Sequence, residues 1–360
     1  MLLSELTAPA RRLAVVGLAK NTGKTDALTT LLEELERVQR PVGVTSVGRD
    51  GEEHDVIDFR IEKPRVMLAP GGIVATTDEL LRASGLRHEL LERTDARTPL
   101  GRVLIARLEE RGAVEVAGPS TAVEVGAVSE RMLALGARQA LIDGAIDRRA
   151  ASSPDVADGL VLSTGAVLSA DIEGVVARTS DAVALVRLPS VEAEGDAARL
   201  RELAGEHPGV SLLVDEDLNA VALPPRFVLT AEPPVIEHYL FDVASAPRWL
   251  LVAGALPEAF VRALALAARR RGCELGVVVA DSTKAFLSER GPAWYERHGV
   301  RLRTLRPLAL LAITVNPLAP QSHRFDSERL CAMLREEISG VPVLDVLGPA
   351  YPRDPLRAAA

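Results

Sequence analysis

A segment near the amino terminus has the residue types that bind phosphate groups. It reads Gly-Leu-Ala-Lys-Asn-Thr-Gly-Lys-Thr from Gly17 to Thr25 and is called the glycine loop below. An apolar run precedes it and a helical pattern follows it, so backbone N–H groups should meet there at a helix start, where anions bind. A lysine at the position of Lys24 reaches the β- and γ-phosphates of a nucleotide, and a hydroxyl such as that of Thr25 ligates Mg²⁺. The segment therefore predicts a site for a nucleoside triphosphate with Mg²⁺.

The glycine spacing in this loop departs from the usual pattern. Leu18 stands where a glycine is expected five residues before Gly23, and the glycine lies at Gly17 instead. The strand before the loop and the helix after it still form the context that the motif requires. We predict that the nucleotide contacts these residues of the loop: Gly17, Lys20, Asn21, Thr22, Gly23, Lys24 and Thr25.

Two aspartates follow apolar runs and could hold the metal ion. Asp50 follows the run Val42–Ser46 in a glycine-flanked turn, and Asp143 ends the run beginning at Ala140 and is followed by glycine. Because a phosphate-loop enzyme needs carboxylates near Mg²⁺ at the ends of neighbouring strands, both are candidates. We predict Lys24, Asp50 and Asp143 as catalytic residues, and Thr25 with the two aspartates as metal ligands. Turn aspartates that accept local backbone N–H groups are the alternative.

Apolar runs alternate with helical periodicity along most of the chain. Runs that predict strands are Leu13–Gly17, Val42–Ser46, Val103–Arg107, Ala140–Asp143, Gly159–Ser163, Ala182–Val186, Trp249–Ala253, Leu275–Ala280, Leu308–Val315 and Val341–Val346. Helices are predicted at Lys24–Val38, Asp78–Ala83, Ser129–Leu135, Pro257–Arg271 and Ser327–Ile338. This alternation predicts an α/β fold with a doubly wound, mostly parallel sheet of the P-loop nucleotide-hydrolase type, plus an additional C-terminal α/β region.

The pattern also predicts three regions along the chain. Residues 1–190 form the nucleotide-binding domain. Residues 191–246 carry acidic and proline-bearing segments and form an insertion or junction. Residues 247–360 form the C-terminal region, which either completes the same sheet or packs on it.

Composition excludes several classes of function. The 360 residues carry a net charge of −8 with only 3% aromatic residues, which argues against nucleic-acid binding through basic runs or stacking aromatics. The two cysteines and six histidines show no metal-ligand spacing. Without an apolar leader or a charge-free apolar stretch long enough to span a membrane, we expect a cytoplasmic protein with ordinary free thiols.

Part of this pattern resembles the dethiobiotin-synthetase-like group of P-loop proteins. The shared features are an acid at a strand end followed by Gly-Ala, here Asp143 to Ala145, and a late strand that runs into an Asn-x-Pro-like turn, here Asn316-Pro317. In that group the asparagine reads the adenine. The resemblance therefore implies Asn316 as a contact of the base, with a turn-capping asparagine as the alternative.

A second resemblance covers most of the chain. It rests on the segments Val16–Thr25, Thr45–Glu52, Thr98–Gly101, Val116–Ser120, Ile142–Arg148, Leu162–Ala166 and Asp281–Phe286. These segments resemble the P-loop subunit of the lysine 5,6-aminomutase reactivase. That resemblance implies an ATPase that helps to restore an adenosylcobalamin-dependent mutase, with lysine 5,6-aminomutase and a MutS-like reactivase subunit as partners and ATP and Mg²⁺ as ligands.

Two other functions stay open from the residues. One is an ATP-dependent ligase or kinase of the dethiobiotin synthetase type, with a substrate pocket lined by Lys63, Thr76, Thr77 and Ser120. The other is a GTP-dependent chaperone of cobalamin or metal enzymes. Guanine readers usually present an Asn-Lys-x-Asp turn, and this chain offers only Asn316-Pro317, so the sequence favours ATP.

Overall fold

The computed structural model describes residues 1–48, 65–145, 152–243, 247–320 and 323–352. The strands in these ranges are β1 (Arg12–Gly17), β2 (Val42–Ser46), β3 (Val66–Leu68), β4 (Ile73–Thr77), β5 (His88–Thr98), β6 (Gly101–Leu108), β7 (Gly112–Val114), β8 (Gln139–Ala145), β9 (Gly159–Gly165), β10 (Leu212–Asp215), β11 (Ala220–Ala222), β12 (Pro247–Val252), β13 (Leu256–Pro257), β14 (Leu275–Val279), β15 (Ala285–Phe286), β16 (Val300–Thr304), β17 (Leu310–Asn316) and β18 (Val343–Leu344). The helices in the same ranges are α1 (Leu3–Thr7), α2 (Lys24–Arg37), α3 (Asp78–Ser84), α4 (Ala122–Ala134), α5 (Ile172–Val186), α6 (Ala197–Glu206), α7 (Phe227–Thr230), α8 (Pro233–Glu237), α9 (Glu258–Arg271), α10 (Pro292–Glu296) and α11 (Ser327–Glu337).

The chain divides into two compact units, at positions other than those the sequence suggests. The first unit comprises Met1–Thr179 and Ala309–Ala360, and the second comprises Ser180–Leu308. Residues 191–246 are thus not a separate insertion, because their strands β10 and β11 pair within the sheet of the second unit. Residues from 309 onwards return to the first sheet through β17 and β18, whereas residues 247–308 belong to the second.

In the described ranges the first unit holds a nine-stranded sheet in the order β18-β17-β9-β1-β8-β2-β4-β6-β5. The strands from β18 to β4 in this order run parallel. Strand β6 is antiparallel to both β4 and β5. The predicted α/β fold with a mostly parallel sheet is therefore confirmed, with an antiparallel hairpin added at one edge. The central strands bury both faces, which is why they read as continuous apolar runs.

Helices cover both faces of this sheet. On one face α2 packs Ala27, Leu28 and Leu31 against Leu13 and Val15 of β1. On the other face α4 packs Val128 and Met132 against residues of β4, β6 and β8. Because the last two residues of the glycine loop, Lys24 and Thr25, are the first two residues of α2, this packing fixes the loop at the carboxyl end of β1.

One predicted strand is wrong. Residues Ala182–Val186 form the last turn and a half of α5 and not a strand. The buried residues of that helix recur at Ile172, Val175, Thr179 and Val183, which is helical spacing. Of the run Ala182–Val186, only Val183 and Leu185 are buried. An apolar run of five residues does not by its pattern distinguish the end of a helix from a strand.

The second unit has a five-stranded sheet in the described ranges, in the order β11-β10-β12-β14-β16. Helix α9 packs on one face of it and α6 on the other. Of the residues described, no helix in either unit is long and apolar enough to cross a membrane. Both cysteines are free thiols, Cys331 buried and Cys273 half-buried, as the sequence predicts.

A buried carboxylate fastens α9 to the segment that follows β15. Glu258, the first residue of α9, accepts hydrogen bonds from the backbone N–H groups of Ser288, Glu289 and Arg290 and from the Tyr295 hydroxyl at 2.7 Å. Burial alone would raise the pKa of Glu258, but the hydrogen bonds from Tyr295, Ser288 and Glu289 outweigh it and lower the pKa to about 2. The ionised carboxylate is thus part of the folded structure of this unit.

Candidate functional site at the carboxyl edge of the first sheet

The predicted site residues come from strands that lie side by side. Asp143 of β8 pairs with Val15 of β1 on one side and with Ser46 of β2 on the other. On the far side of β1, Gly17 pairs with Ser163 of β9. The chain passes from β8 to β9 across β1, so the strand order reverses at this strand. In open α/β sheets such a reversal marks the crevice in which ligands bind.

Alternation along the strands turns the polar residues towards α2 and the glycine loop. Leu141 contributes to the core under α2, and Asp143, two residues further along β8, lies on the same face. Val161 of β9 is in the same core, and Ser163 follows it on that face. Apolar packing thus gives way to polar groups at the point where the strands end.

Two glycines are required for the shape of the glycine loop. A Cβ at Gly17 would lie 2.5 Å from Thr22 Oγ1, so any other residue would collide with the loop. Gly23 has a φ of +83°, which favours glycine, and a Cβ there would lie 3.0 Å from Asn316 Cβ. Inside the loop the buried Thr22 hydroxyl donates to the Ala19 carbonyl at 2.9 Å. A side chain at Gly17 would therefore displace Thr22, so the glycine has a structural role there although Leu18 occupies the expected glycine position.

The loop leaves a run of backbone donors available to a ligand. The Leu18 N–H donates to the Ser163 carbonyl at 2.9 Å, and the Ala27 N–H donates to the Gly23 carbonyl at 3.0 Å. Between them, the N–H groups of residues 19–26 have no acceptor among the residues that the structure describes. Consecutive free N–H groups at the start of a helix form a concave anion site.

Lys24 and Asp143 meet beneath this run of donors. Lys24 Nζ lies 2.9 Å from Asp143 Oδ1, and the side chains are 27% and 28% exposed. The approach is an ion pair without hydrogen-bond geometry, because Oδ1 is buried and has no hydrogen-bond partner. The exposed area of Asp143 therefore belongs to the rest of its side chain. The structure brings together the lysine and one of the two carboxylates that the sequence predicts.

The remaining predicted residues of the loop lie at its surface. Lys20, Asn21 and Thr25 are exposed. Thr25 lies next to Lys24 in the first turn of α2 and is open to solvent, so its hydroxyl is accessible to a metal ion. The other predicted carboxylate, Asp50, lies outside the described residues.

The donor set fits Mg²⁺ better than a softer metal. Within the described ranges, no group of three or more histidine, cysteine or acidic side chains is arranged to hold a metal. Mg²⁺ does not need such a group, because it binds through one or two carboxylates together with phosphate oxygens and water. Asp143 offers a carboxylate oxygen with no hydrogen bond, and Thr25 offers a hydroxyl.

Asn316, implied as the base reader, contacts the glycine loop. Its Nδ2 donates to the Asn21 carbonyl at 2.9 Å, and its Oδ1 accepts from the Leu318 N–H at 3.1 Å. It stands at the end of β17, level with Gly165, where a Cβ would lie 2.4 Å from the Asn316 carbonyl oxygen. Base reading stays a prediction, since both polar atoms of the amide already have partners.

An open groove of about 540 Å³ adjoins the loop on the side of β9 and β17. Its lining residues are Asn21, Val167, Leu168, Ser169, Ala170, Arg178, Ala319, Pro320 and His323. Arg178 donates to the Leu168 carbonyl, and His323 Nε2 donates to the Ala166 carbonyl at 3.1 Å. The sequence prediction missed Arg178 and His323. The groove is built at two strand ends, which are Ser163–Gly165 at the end of β9 and the Asn316-Pro317 turn after β17.

Helix α2 also carries a carboxylate in its first turn. Burial, and then the nearby Asp345 carboxylate, raise the pKa of Asp26. Asp345 in turn accepts from the Leu347 N–H at 3.0 Å and from the Ser327 hydroxyl. The two like charges lie near the glycine loop, and protonation of Asp26 relieves their repulsion.

The segment Val116–Ser120 closes the ends of β2 and β4. A Cβ at Gly118 would lie 1.9 Å from the Ser46 carbonyl oxygen. The Ser46 hydroxyl donates to the Val116 carbonyl and accepts from the Gly118 N–H, and the Thr76 hydroxyl donates to the Glu115 carbonyl. The hydroxyls of Ser46 and Thr76 therefore already form hydrogen bonds to the backbone of this segment. Of the residues predicted around a ligase substrate, Thr76 and Thr77 are buried, Ser120 is exposed, and Lys63 lies outside the described residues.

Comparisons with known proteins add no relative. No protein-family model, no curated protein and no solved structure matches this chain. The function proposed below is supported by the residues and distances given above and by the sequence resemblance.

Proposed function

We propose that this chain is a P-loop protein that binds ATP with Mg²⁺ and hydrolyses it. The observation that carries the proposal is the Lys24–Asp143 pair at 2.9 Å, lying at the start of α2 beside a run of free backbone N–H groups. A cation and N–H donors fit the phosphates, and the carboxylate fits the metal. A phosphate ligand would give acceptors to the N–H groups of the loop, and the loop lies where the strand order reverses, which is the usual place for a ligand in such sheets.

The residues present fit a magnesium site. Asp143 and Thr25 would hold Mg²⁺, which when bound neutralises negative charge on the phosphate oxygens. Asp143 Oδ1 is buried without a hydrogen bond, and among the residues that the structure describes its charged neighbour is Lys24. Asp50 remains part of the prediction as a second carboxylate.

Nucleotide binding exchanges the partners of Lys24 and Asp143. Before binding, each neutralises the other. A phosphate at the N–H groups of the loop would compete with Asp143 for Lys24, and Asp143 would then be available to hold the metal ion. A protein with two such states at one strand end can signal nucleotide occupancy to a partner.

The groove beside the loop supports a nucleoside as the rest of the ligand. Its volume of about 540 Å³ is in the range of small-molecule sites. Val167, Leu168, Ala319 and Pro320 provide apolar walls for a flat base, and Asn21 connects the groove to the loop. We favour adenine because the turn after β17 is Asn-Pro and not the turn of guanine readers.

The client of the ATPase is proposed from the sequence resemblance. The segments that resemble the reactivase P-loop subunit include the glycine loop and the end of β8, which meet at the proposed site, and the segment Val116–Ser120, which contacts the end of the neighbouring strand β2. We therefore propose that the chain works with a MutS-like subunit to restore an adenosylcobalamin-dependent lysine 5,6-aminomutase.

The experiment follows ADP release and recovery of the mutase together. The chain, alone and with its partner subunit, is mixed with active or inactivated mutase in the presence of ATP and Mg²⁺. We expect slow ADP release that inactivated mutase stimulates, and recovery that requires both the chain and ATP. Normal mutase recovery in the absence of the chain would refute the reactivase role. ADP release that instead requires a diamine or a carboxylate would favour the ligase alternative.

A further inference from the structure

Asn316 links β17 to the glycine loop at two points. Its amide nitrogen donates to the Asn21 carbonyl at 2.9 Å. Its Cβ lies against the α-carbon of Gly23, where an added Cβ would be only 3.0 Å away. The orientation of the amide follows from its two hydrogen bonds, because exchanging nitrogen and oxygen would point the oxygen at the Asn21 carbonyl and the nitrogen at the Leu318 N–H.

The part of the loop that Asn316 contacts has a left-handed backbone conformation. Asn21 has a φ of +65°, which costs an L-residue some free energy, although asparagine adopts this region more readily than most residues. Gly23, two residues later, has a φ of +83°. Such conformations persist where neighbouring groups hold them. The Asn316 amide, which donates a hydrogen bond to the Asn21 carbonyl, is one such group.

We propose that Asn316 is a positioning residue for the glycine loop. It holds the turn from Asn21 to Gly23 in the conformation that presents the N–H groups to phosphate. This inference rests on the proposed function. A base reader changes the affinity for the nucleoside part of the ligand, whereas a residue that positions the loop changes the affinity for the phosphate chain.

The variant Asn316→Ser isolates this contact. A serine hydroxyl accepts from the N–H group two residues later, so it keeps the turn to Leu318. It is too short to reach the Asn21 carbonyl. The matched control is Asn219→Ser in the second unit, where Asn219 Nδ2 donates to Asp215 Oδ2 at 3.2 Å.

Three ligands distinguish the two roles by calorimetric titration with Mg²⁺ present: ATP, GTP and inorganic tripolyphosphate, which has no base. We expect Asn316→Ser to weaken all three by a similar factor of about five, which is the factor for one hydrogen bond of ordinary net strength. The ATP-to-GTP ratio should stay that of the wild type. The melting temperature without ligand should match that of Asn219→Ser within about 2 °C, a change too small to reflect general loss of structure.

Other outcomes overturn the inference in distinguishable ways. Weaker ATP binding with unchanged tripolyphosphate binding would identify a base reader. Unchanged affinity for all three ligands, with or without a lower melting temperature, would show that the contact has no role in binding. A wild-type chain that binds none of the three refutes the proposed function itself, and the inference with it.

Discussion

The ion pair between Lys24 and Asp143 predicts opposite effects of one substitution in the presence and absence of Mg²⁺. Asp143→Asn removes the carboxylate that holds Lys24 at 2.9 Å. Without Mg²⁺ the lysine is then free for phosphate, and ATP should bind more tightly than it does to the wild type. With Mg²⁺ present, the loss of the carboxylate that we propose as a metal ligand should make binding weaker.

The size of the gain follows from the geometry. At 2.9 Å two unit charges in bulk water attract each other by about 1.4 kcal/mol. Both side chains are more than a quarter exposed, and ordering them costs entropy, so we take about 1 kcal/mol as the net value. This corresponds to about fivefold tighter binding of ATP in the absence of Mg²⁺.

The assay is calorimetric titration of ATP with excess chelator and again with excess Mg²⁺. The matched control is Asp158→Asn, which breaks an ion pair with Arg12 at the opposite edge of the same sheet and should leave both affinities unchanged. If Asp143→Asn binds metal-free ATP no better than the wild type, the pair does not restrain Lys24. If it still gains affinity from Mg²⁺ as the wild type does, Asp143 is not a metal ligand.

Three further substitutions test the packing around the site and in the second unit. Gly118→Ala should cost more than about 2 kcal/mol of unfolding free energy in urea, because the new Cβ would lie 1.9 Å from the Ser46 carbonyl oxygen. Asp26→Asn removes a half-buried carboxylate beside Asp345 and should raise the melting temperature at neutral pH by about 1 to 2 °C. That gain should vanish at acidic pH, where Asp26 is protonated in the wild type. Glu258→Gln should destabilise by at most about 3 kcal/mol at neutral pH, the value of a pKa lowered from 4.5 to about 2.

The contribution of Glu258 to the free energy of unfolding should also change with pH in a definite direction. A carboxyl whose pKa is lowered on folding stabilises the fold above its unfolded pKa and loses that contribution as pH falls from about 4.5 towards 2. The difference between wild type and Glu258→Gln should therefore shrink over this range. Equal differences in unfolding free energy between wild type and Glu258→Gln at pH 7 and pH 3 would contradict the lowered pKa of Glu258.

Gly195→Ala, with open space around its α-carbon, is the control for Gly118→Ala.

The sequence predicts the centre of the first sheet well, because its signals are local. The run before Gly17, the helix from Lys24 and the run ending near Asp143 are each readable within a few residues, and the structure bears out these elements. The close approach of Lys24 to Asp143 follows from parallel strands ending at one edge. That edge was predictable from strand–helix alternation alone.

Features that depend on distant pairing were not predictable in the same way. The sequence left open whether residues 247–360 complete the first sheet, because β17 pairs with β9 although the residues of the second unit separate the two strands in the sequence. The contact of Asn316 with Asn21 depends on that pairing. Strand β5 lies at the sheet edge with mostly polar residues and two register shifts, so it lacks the alternation that marks a strand.

Titration of MgATP into the wild type and into Lys24→Ala determines whether the glycine loop binds the phosphates of ATP through Lys24. Lys284→Ala in the second unit is the control for loss of a lysine. We expect saturable binding to the wild type and to Lys284→Ala, and no measurable binding to Lys24→Ala. Because Lys24→Ala also loses the ion pair with Asp143, its melting temperature should lie within about 2 °C of that of the wild type. MgATP binding to Lys24→Ala with wild-type affinity, or no binding to the wild type, would contradict binding of the phosphates through Lys24.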